Sequence, residues 1–364
     1  MAVSPRVVGA QEPIIGIKAE TSYGVAIDGG DPDGTDFRKL PLVQAQRPAF
    51  NIIRESRLLS GRGMVKNSAD QYSTGIGGTV VTPFDFWATP KLLSQILVLV
   101  GQQHSESGSA GSEVHTVSFD DSGMINEIGG SITNNIPHSV NLAYDLVNGV
   151  SESLLVPGNV VSDLSLVLDA GANGGLLSMS GNFFSGHCAQ SGTSLVLETS
   201  FDGSWVAPET SYYSYGGLTT KTLDSDDGSA QDLIFRSIQF DISNGVNRVG
   251  ANSTGNAEAL AIPEYVIAGS MMIKYDDNFD NGATRNVLQD FIDGDTLSLA
   301  LQWGNGTVDA AGEMNIDAEL QYTGSEFDLS ESGIFHSLPF ECVVNGSTPA
   351  FKVQNFTGES QSAW

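Results

Sequence analysis

The residues that most often carry catalysis are present in this chain, but not at catalytic spacings. Five histidines are scattered along it, and no HxxxH or HExxH pair would place two of them on one helix face to bind zinc. His187 and Cys188 are adjacent, yet neighbouring side chains of a strand point to opposite faces, beyond mutual hydrogen-bond reach. Nucleophile-elbow, P-loop and dinucleotide-binding glycine patterns are also missing. The sequence therefore predicts a protein that is not an enzyme and takes no cofactor.

Carboxylates are abundant but equally unspecific, since a glycosidase pair could be drawn between almost any two strands. Two loops, 28–36 and 276–282, are dense in aspartate, and clustered oxygen ligands on a turn can hold calcium. Neither loop matches the EF-hand spacing, because Gly29 and Phe279 would occupy ligand positions. We favour solvated turns over calcium sites and predict no metal.

The charge balance argues against binding to nucleic acid. The 364 residues include 43 Asp and Glu against 16 Lys and Arg, a formal net charge of −27, and such a surface repels phosphate backbones. Ten of the 16 basic residues lie between Arg6 and Lys91, and none lies between Leu92 and Thr220. A generally acidic protein from a saline habitat would explain the total equally well.

One segment, 51–78, gathers positive charge on an otherwise acidic chain: Arg54, Arg57, Arg62 and Lys66. Weak strand periodicity and several glycines suggest a long hairpin or arm. Four positive charges would be attracted to the acidic face of an identical neighbour and would steer head-to-tail association. The alternative is an ordinary solvated loop.

The elements that must position these residues are mainly strands. Alternating apolar and polar residues, bounded by Gly, Asn or Asp turns, predict strands at 114–119, 164–168, 176–183, 194–198, 233–242, 266–275, 296–303, 314–322 and 338–344. Two segments predict helices that pack on a sheet: Pro90 to Gly101, with Thr89 as a possible cap, and Thr284 to Gly294. The fold class expected is all-β with two short flanking helices, arranged as an antiparallel sandwich or barrel.

Further observations bound the cellular context. Cys188 and Cys342 are too sparse for a disulfide framework and are expected to be buried free thiols. The start of the chain lacks the apolar core of a signal peptide, and no run approaches a membrane span. Assembly in a cytoplasm without membrane contact is therefore expected.

Both predicted helices follow a strand that begins with glycine, and the offsets nearly agree. Gly78 to Gly269 spans 191 residues, and Gly101 to Gly294 spans 193. This recurrence favours a tandem duplication over two helices that arose independently in one large domain. The division expected is an N-terminal half at 1–207 with an arm at 51–78, an irregular linker at 208–228, and a C-terminal half at 229–364.

Four places in the chain resemble the tail tube (major tail) proteins of long-tailed phages. The opening Glu20-Thr21-Ser22-Tyr23-Gly24 looks like the family's Glu-x-x-Tyr-Gly start, and the 54–63 segment precedes the glycine-led strand and first helix in the family's order. The second half, with Gly269 to Tyr275, Asn286 to Gly294, Leu297 to Leu301 and Leu338 to Cys342, is similar to the terminal half of many tail tubes.

The resemblance implies a structural virion protein whose β-sandwich domains join side by side into a ring with an inner β-barrel. Stacked rings would form a tube that conducts genomic DNA from capsid to host without binding it specifically. Three chains would form a pseudo-sixfold ring if the halves are repeats, whereas unduplicated relatives use six. Expected partners are further copies of the chain and other tail proteins, and the expected location is the tail of the virion.

Within that reading, the arm at 51–78 and the loop at 244–262 are candidates for ring stacking, and the lumen face is expected among the strands of the Lys- and Arg-free stretch and the strand of Asp276 and Asp277. Two alternatives stay open. One is another virion role, in capsid decoration or head-to-tail joining. The other is a carbohydrate-binding or adhesin module with Trp205, Tyr212, Tyr213 and Tyr215 as its stacking platform.

Overall fold

The computed structural model describes most of the chain. The described residues are 14–20, 22–25, 37–41, 49–51, 54–56, 71–73, 79–100, 103–121, 127–129, 139–145, 153–187, 190–192, 212–225, 230–250, 256–274, 287–328 and 335–358. The predicted strand at 194–198, both acidic loops, Cys188 and Trp205 lie outside them.

The described residues form 24 strands and two α-helices. The strands of the first half are β1 (Ile14–Ala19), β2 (Arg38–Lys39), β3 (Ala49–Asn51), β4 (Arg54–Ser56), β5 (Gln71–Ser73), β6 (Thr79–Trp87), β7 (Gln103–Ser107), β8 (Val114–Phe119), β9 (Glu127–Gly129), β10 (Val140–Asp145), β11 (Ser153–Asp169), β12 (Ser178–Ser185) and β13 (Gln190–Gly192). Those of the second half are β14 (Leu218–Ser225), β15 (Gln231–Asp232), β16 (Phe235–Ser243), β17 (Asn247–Val249), β18 (Ala259–Ala261), β19 (Val266–Lys274), β20 (Leu297–Trp303), β21 (Met314–Tyr322), β22 (Glu326–Asp328), β23 (Phe335–Cys342) and β24 (Phe351–Phe356). The helices are α1 (Pro90–Leu99) and α2 (Val287–Asp293).

Nineteen strands belong to one large antiparallel sheet, which has three sections. In the first section the strands lie in the order β3, β6, β12, β11, β16, β19, β23, β22. The second section runs β15, β14, β20, β21, β24, β8, β7 and joins the first where β21 pairs with β23. The third section pairs β2, β1 and β10 with the start of β11, which also pairs with β13.

The first section contains the same strand order twice. Numbered by their position along the chain, β3, β6, β12 and β11 lie side by side as first, second, fourth and third strand, and so do β16, β19, β23 and β22. In both sets a helix and a hairpin follow the second strand: α1 with β7 and β8, and α2 with β20 and β21. The first set additionally contains β9 and β10 before its third strand.

Aromatic and aliphatic side chains fill the space between the first two sections. On β16, Phe240 lies 5.0 Å (ring centroids) from Phe351 of β24, so the two sections contact each other directly. Phe351 also packs on Phe119 of β8, and Phe240 on Phe340 of β23. One continuous apolar cluster therefore extends across both halves of the chain.

Helix α1 forms as predicted, with Pro90 in its first turn, but it is buried on all sides rather than along one stripe. Even Ser94 and Gln95 are almost fully covered. The Ser94 hydroxyl donates to Asn355 Oδ1 at 2.5 Å, and Asn355 Nδ2 donates to the Pro90 carbonyl at 2.6 Å. Placing Ser94 in the core costs little here because its hydroxyl is hydrogen-bonded.

Helix α2 also forms, over a shorter span than predicted. Its Ile292 is 64% exposed, whereas Phe291 is half-buried against the core. Consecutive helix residues lie about 100° apart, so a seven-residue helix that buries Phe291 turns Ile292 outward. Neither helix in the described part of the chain is long and apolar enough to cross a bilayer.

Most strand predictions are confirmed, and β21 has the predicted limits. The prediction of an irregular segment at 208–228 is wrong for residues 218–225, which form β14 and pair with β20. Leu223 of β14 is fully buried, so this strand belongs to the main core. The predicted division of the chain into two halves stays a prediction.

Candidate functional site

The first section has one open face that is rich in polar residues. Along β6 every second residue is buried, beginning with Val80, and the intervening residues lie on the open side. The same alternation continues through the neighbouring strands and produces a buried apolar face and an open polar face. We call the open side the polar face.

The strand register arranges the polar face in rows that cross the section. The four rows are Asp85, Ser180, Ser165, Asp241, Ala268, Glu341; Pro83, Asn182, Asp163, Ser243, Val266; Trp87, Ser178, Val167, Gln239, Ser270, Pro339; and Asp169, Ser237, Met272, Ser337, Glu326. They contain six carboxylates and no lysine or arginine. Lys274 lies on the same face of β19, one step beyond the last row.

Amide and hydroxyl groups hold two of these carboxylates in place. Asn182 Nδ2 donates to both Asp163 oxygens at 2.9 and 3.1 Å, and the Ser162 hydroxyl donates to Asp163 Oδ2 at 2.7 Å. Gln239 Nε2 donates to both Asp241 oxygens at 2.8 Å. Neutral donors fix the orientation of a carboxylate without cancelling its charge, so the polar face keeps a negative potential.

The predicted lumen strands only partly match the polar face. β11 and β12 come from the Lys- and Arg-free stretch and lie near the middle of the face. β6, β16 and β23 contribute as well, although sequence spacing did not single them out, and so does β19. Asp276 and Asp277 follow β19 and lie outside the described residues.

The predicted arm at 51–78 begins and ends as a hairpin. β4 pairs antiparallel with β5, Arg54 opposite Ser73, in a two-stranded sheet separate from the large one. This hairpin extends the pairing of β3 with β6, which encloses it in sequence. Arg57, Arg62 and Lys66 lie outside the described residues, so the role of the four basic residues stays a prediction.

The predicted loop at 244–262 is more ordered than its Gly, Asn and Ser content suggests. β17 and β18 pair there, and β9 from the first half completes a three-stranded sheet. A small separate core of Tyr23, Ile128, Val160, Ala257, Leu260 and Ile262 supports it. The prediction of an open loop is therefore wrong for these strands.

A buried carboxyl group lies at the joint where β1, β10 and β11 meet. The Glu20 side chain is 4% exposed and accepts hydrogen bonds from the Gly158 amide at 2.6 Å, the Gly24 amide at 2.9 Å and the Ser139 hydroxyl at 2.5 Å. Burial raises the pKa of Glu20 from 4.5 to about 7, and the three hydrogen bonds offset part of that rise. Gly158 has a positive φ of 68°, at the point where β11 changes partners from β10 to β12.

The rest of the Glu-x-x-Tyr-Gly pattern packs around the same joint. The Tyr23 ring lies edge-on to the His187 ring at 5.2 Å, and burial lowers the pKa of His187 to about 4. A β-carbon on Gly24 would lie 2.2 Å from that ring, so only glycine fits. The pattern therefore has a structural role, which sequence reasoning recognised only as a resemblance.

Two remaining candidates fit binding or catalysis poorly. Tyr213 of the suggested glycan platform is 1% exposed and packs on Trp303, and the Tyr215 hydroxyl donates to the Phe235 carbonyl at 2.8 Å. Burial raises the pKa of Cys342 to about 12, so this free thiol is a poor nucleophile. Within the described ranges, no three His, Cys, Asp or Glu side chains group so as to hold a metal ion.

No protein-family model matches the chain, and no characterised protein matches it in sequence.

Proposed function

We propose that the chain is the subunit of a viral tail tube, in which copies join through their sheets into rings and the rings stack around a channel for DNA. The observation that carries this proposal is the polar face: an antiparallel section of eight strands has one apolar face and one open face whose rows contain six carboxylates. Such a surface suits the wall of a channel, because its carboxylates are spread over four rows instead of converging on one point.

Electrostatics supports a channel for DNA in particular. The rows of the polar face contain six carboxylates without a basic residue among them, and like charge repels the phosphate backbone. A basic wall would bind the DNA and slow its passage. An acidic wall lets it slide.

The repeated strand order supports the tandem duplication and a ring of three chains. The two sets of four strands are β3, β6, β12, β11 and β16, β19, β23, β22. If they are two copies of one unit, three chains supply six units and about 24 strands. With a strand spacing of ~4.8 Å and a tilt of ~40°, a barrel of about 24 strands has a backbone diameter of about 48 Å. Six chains would double the diameter, which is far wider than a duplex requires.

Packing supports a stiff wall. The contact of Phe240 with Phe351 brings the second section against the apolar side of the first, so each subunit would be a sandwich with α1 between its layers. Sheets closed between subunits would have no free edges, which protects a long-lived assembly from unwanted pairing.

Electron microscopy of the purified protein over a concentration series, with light-scattering mass on the same samples, tests the proposal. Rings or tubes with a central hole support it, and the ring mass distinguishes three chains from six. A compact monomer at every concentration contradicts it. Discs without stacking would instead favour a head-to-tail joining role.

A further inference from the structure

The repeated strand order identifies two sheet edges that complement each other. In each set of four, the first and the third strand are the outer ones. Inside the chain, the third strand of the first set, β11, pairs antiparallel with the first strand of the second set, β16, over seven residue pairs from Asp163 with Ser243 to Asp169 with Ser237. This junction joins the two sets into one continuous section.

The equivalent strands at the two ends of the section lack that junction. In the described part of the chain, β3, the counterpart of β16, pairs with β6 alone. Likewise β22, the counterpart of β11, has β23 as its one partner among the described strands. The β22 end therefore presents the equivalent of the edge that β11 uses in the internal junction. The β3 end presents the equivalent of the edge that β16 uses.

We propose that the outer edge of β22 in one copy pairs antiparallel with the outer edge of β3 in the next copy, repeating the β11 to β16 junction between chains. The partner is a second copy of this chain, because only it supplies the complementary edge with the same spacing and twist. The contact is heterologous, so it closes into a ring when the rotation between the two sets divides a full turn evenly.

Side-chain directions agree with this junction. Glu326 of β22 lies opposite Ser337, and Ala49 of β3 lies opposite Val81, both on the polar face. Both residues are exposed. Joining the two edges thus continues the polar face from one chain to the next, as β11 and β16 continue it within the chain.

The inference rests on the proposed tube function, and a cysteine experiment separates the two. Cys188 and Cys342 are replaced by alanine, Ala49→Cys and Glu326→Cys are introduced together, and a short thiol-reactive crosslinker is added to the oligomer. We expect most of the protein to move into a ladder on a denaturing gel that ends at the number of chains in the ring. Three controls should run as monomers on the same gel: Ala49→Cys alone, Glu326→Cys alone, and the pair Ala49→Cys with Ser107→Cys on β7.

The wild-type chain gives an independent readout. Amide exchange in β3 and β22 should slow when rings form, while β7, exposed at the end of the second section, keeps its rate. Rings that show neither the ladder nor this protection would overturn the β22 to β3 junction and leave the tube proposal standing. Failure to form any oligomer would overturn both.

Discussion

The Asn244 side chain fixes the end of the buried helix to the first section, and its removal tests whether α1 is held there by hydrogen bonds. Asn244 is fully buried, and its Nδ2 donates to the Val100 carbonyl at 2.9 Å and to the Val161 carbonyl at 2.8 Å. Its Oδ1 accepts from the Val246 amide at 3.2 Å. One amide thus joins α1, β11 and the turn after β16.

The expected loss for Asn244→Ala follows from the carbonyls left behind. The Val100 carbonyl follows the last turn of α1 and has no partner within the helix, so removing its donor leaves a buried acceptor unmet. An unmet buried acceptor costs about 1–3 kcal/mol, and the second lost bond about 1 kcal/mol more. We expect Asn244→Ala to lower the free energy of unfolding by about 2–4 kcal/mol.

Urea unfolding with fluorescence detection measures this loss. Asn247→Ala is the matched control, because Asn247 is exposed and its Nδ2 donates to the carbonyl of Gly245, two residues away, at 2.8 Å. The control should unfold at nearly the wild-type midpoint. A loss below about 0.5 kcal/mol for Asn244→Ala, at an unchanged slope, would refute the assignment.

Three further predictions follow from the joint, the strand packing and the polar face. Urea titrations of wild type and Glu20→Gln give the difference between their free energies of unfolding. This difference should fall by about 3 kcal/mol between pH 4.5 and 7, because a carboxyl whose pKa is raised stabilises the fold only while it is protonated. A flat difference would show that Glu20 does not titrate in that range. Gly269→Ala should cost about 1–3 kcal/mol in the same assay, since the new β-carbon would lie 2.2 Å from the Gln239 carbonyl, whereas Gly216→Ala meets nothing within 4 Å. Replacing Asp85, Asp163 and Asp241 by lysine should create DNA binding that weakens with salt, measured by fluorescence anisotropy; equal binding by a variant with Glu258, Glu264 and Asp293 replaced would show that the polar face is not special.

The sequence predicts local elements well because their signals are local. Pro90 and the apolar stripe behind it define α1, and two-residue alternation defines strands such as β21. The burial of Ser94 and Gln95 in α1 could not be predicted, since both residues interrupt its apolar pattern. Ser94 is accommodated by Asn355, which lies 261 residues further along the chain.

The sequence predicts an acidic surface, but it does not predict which strands form the polar face. The stretch that supplies β11 and β12 contains acidic residues and no Lys or Arg. Which strands lie beside them depends on pairings such as β11 with β16, between residues about 75 positions apart in sequence. Alternation reveals that a strand has two faces, but only the register shows that Asp85 and Glu341 share a row.

The two sets of four strands also differ in a way that bears on assembly. The helix of the first set, α1, is enclosed by β8, β11 and β24, whereas the helix of the second, α2, contacts β21 and leaves Ile292 64% exposed. If the sets are repeats and three chains form the proposed ring, that ring would be pseudo-sixfold along its polar face and threefold on its outside. The uniform inner face would meet DNA, which presents the same charge in every direction, while the alternating outer positions of α1 and α2 would restrict binding partners to three sites around the ring.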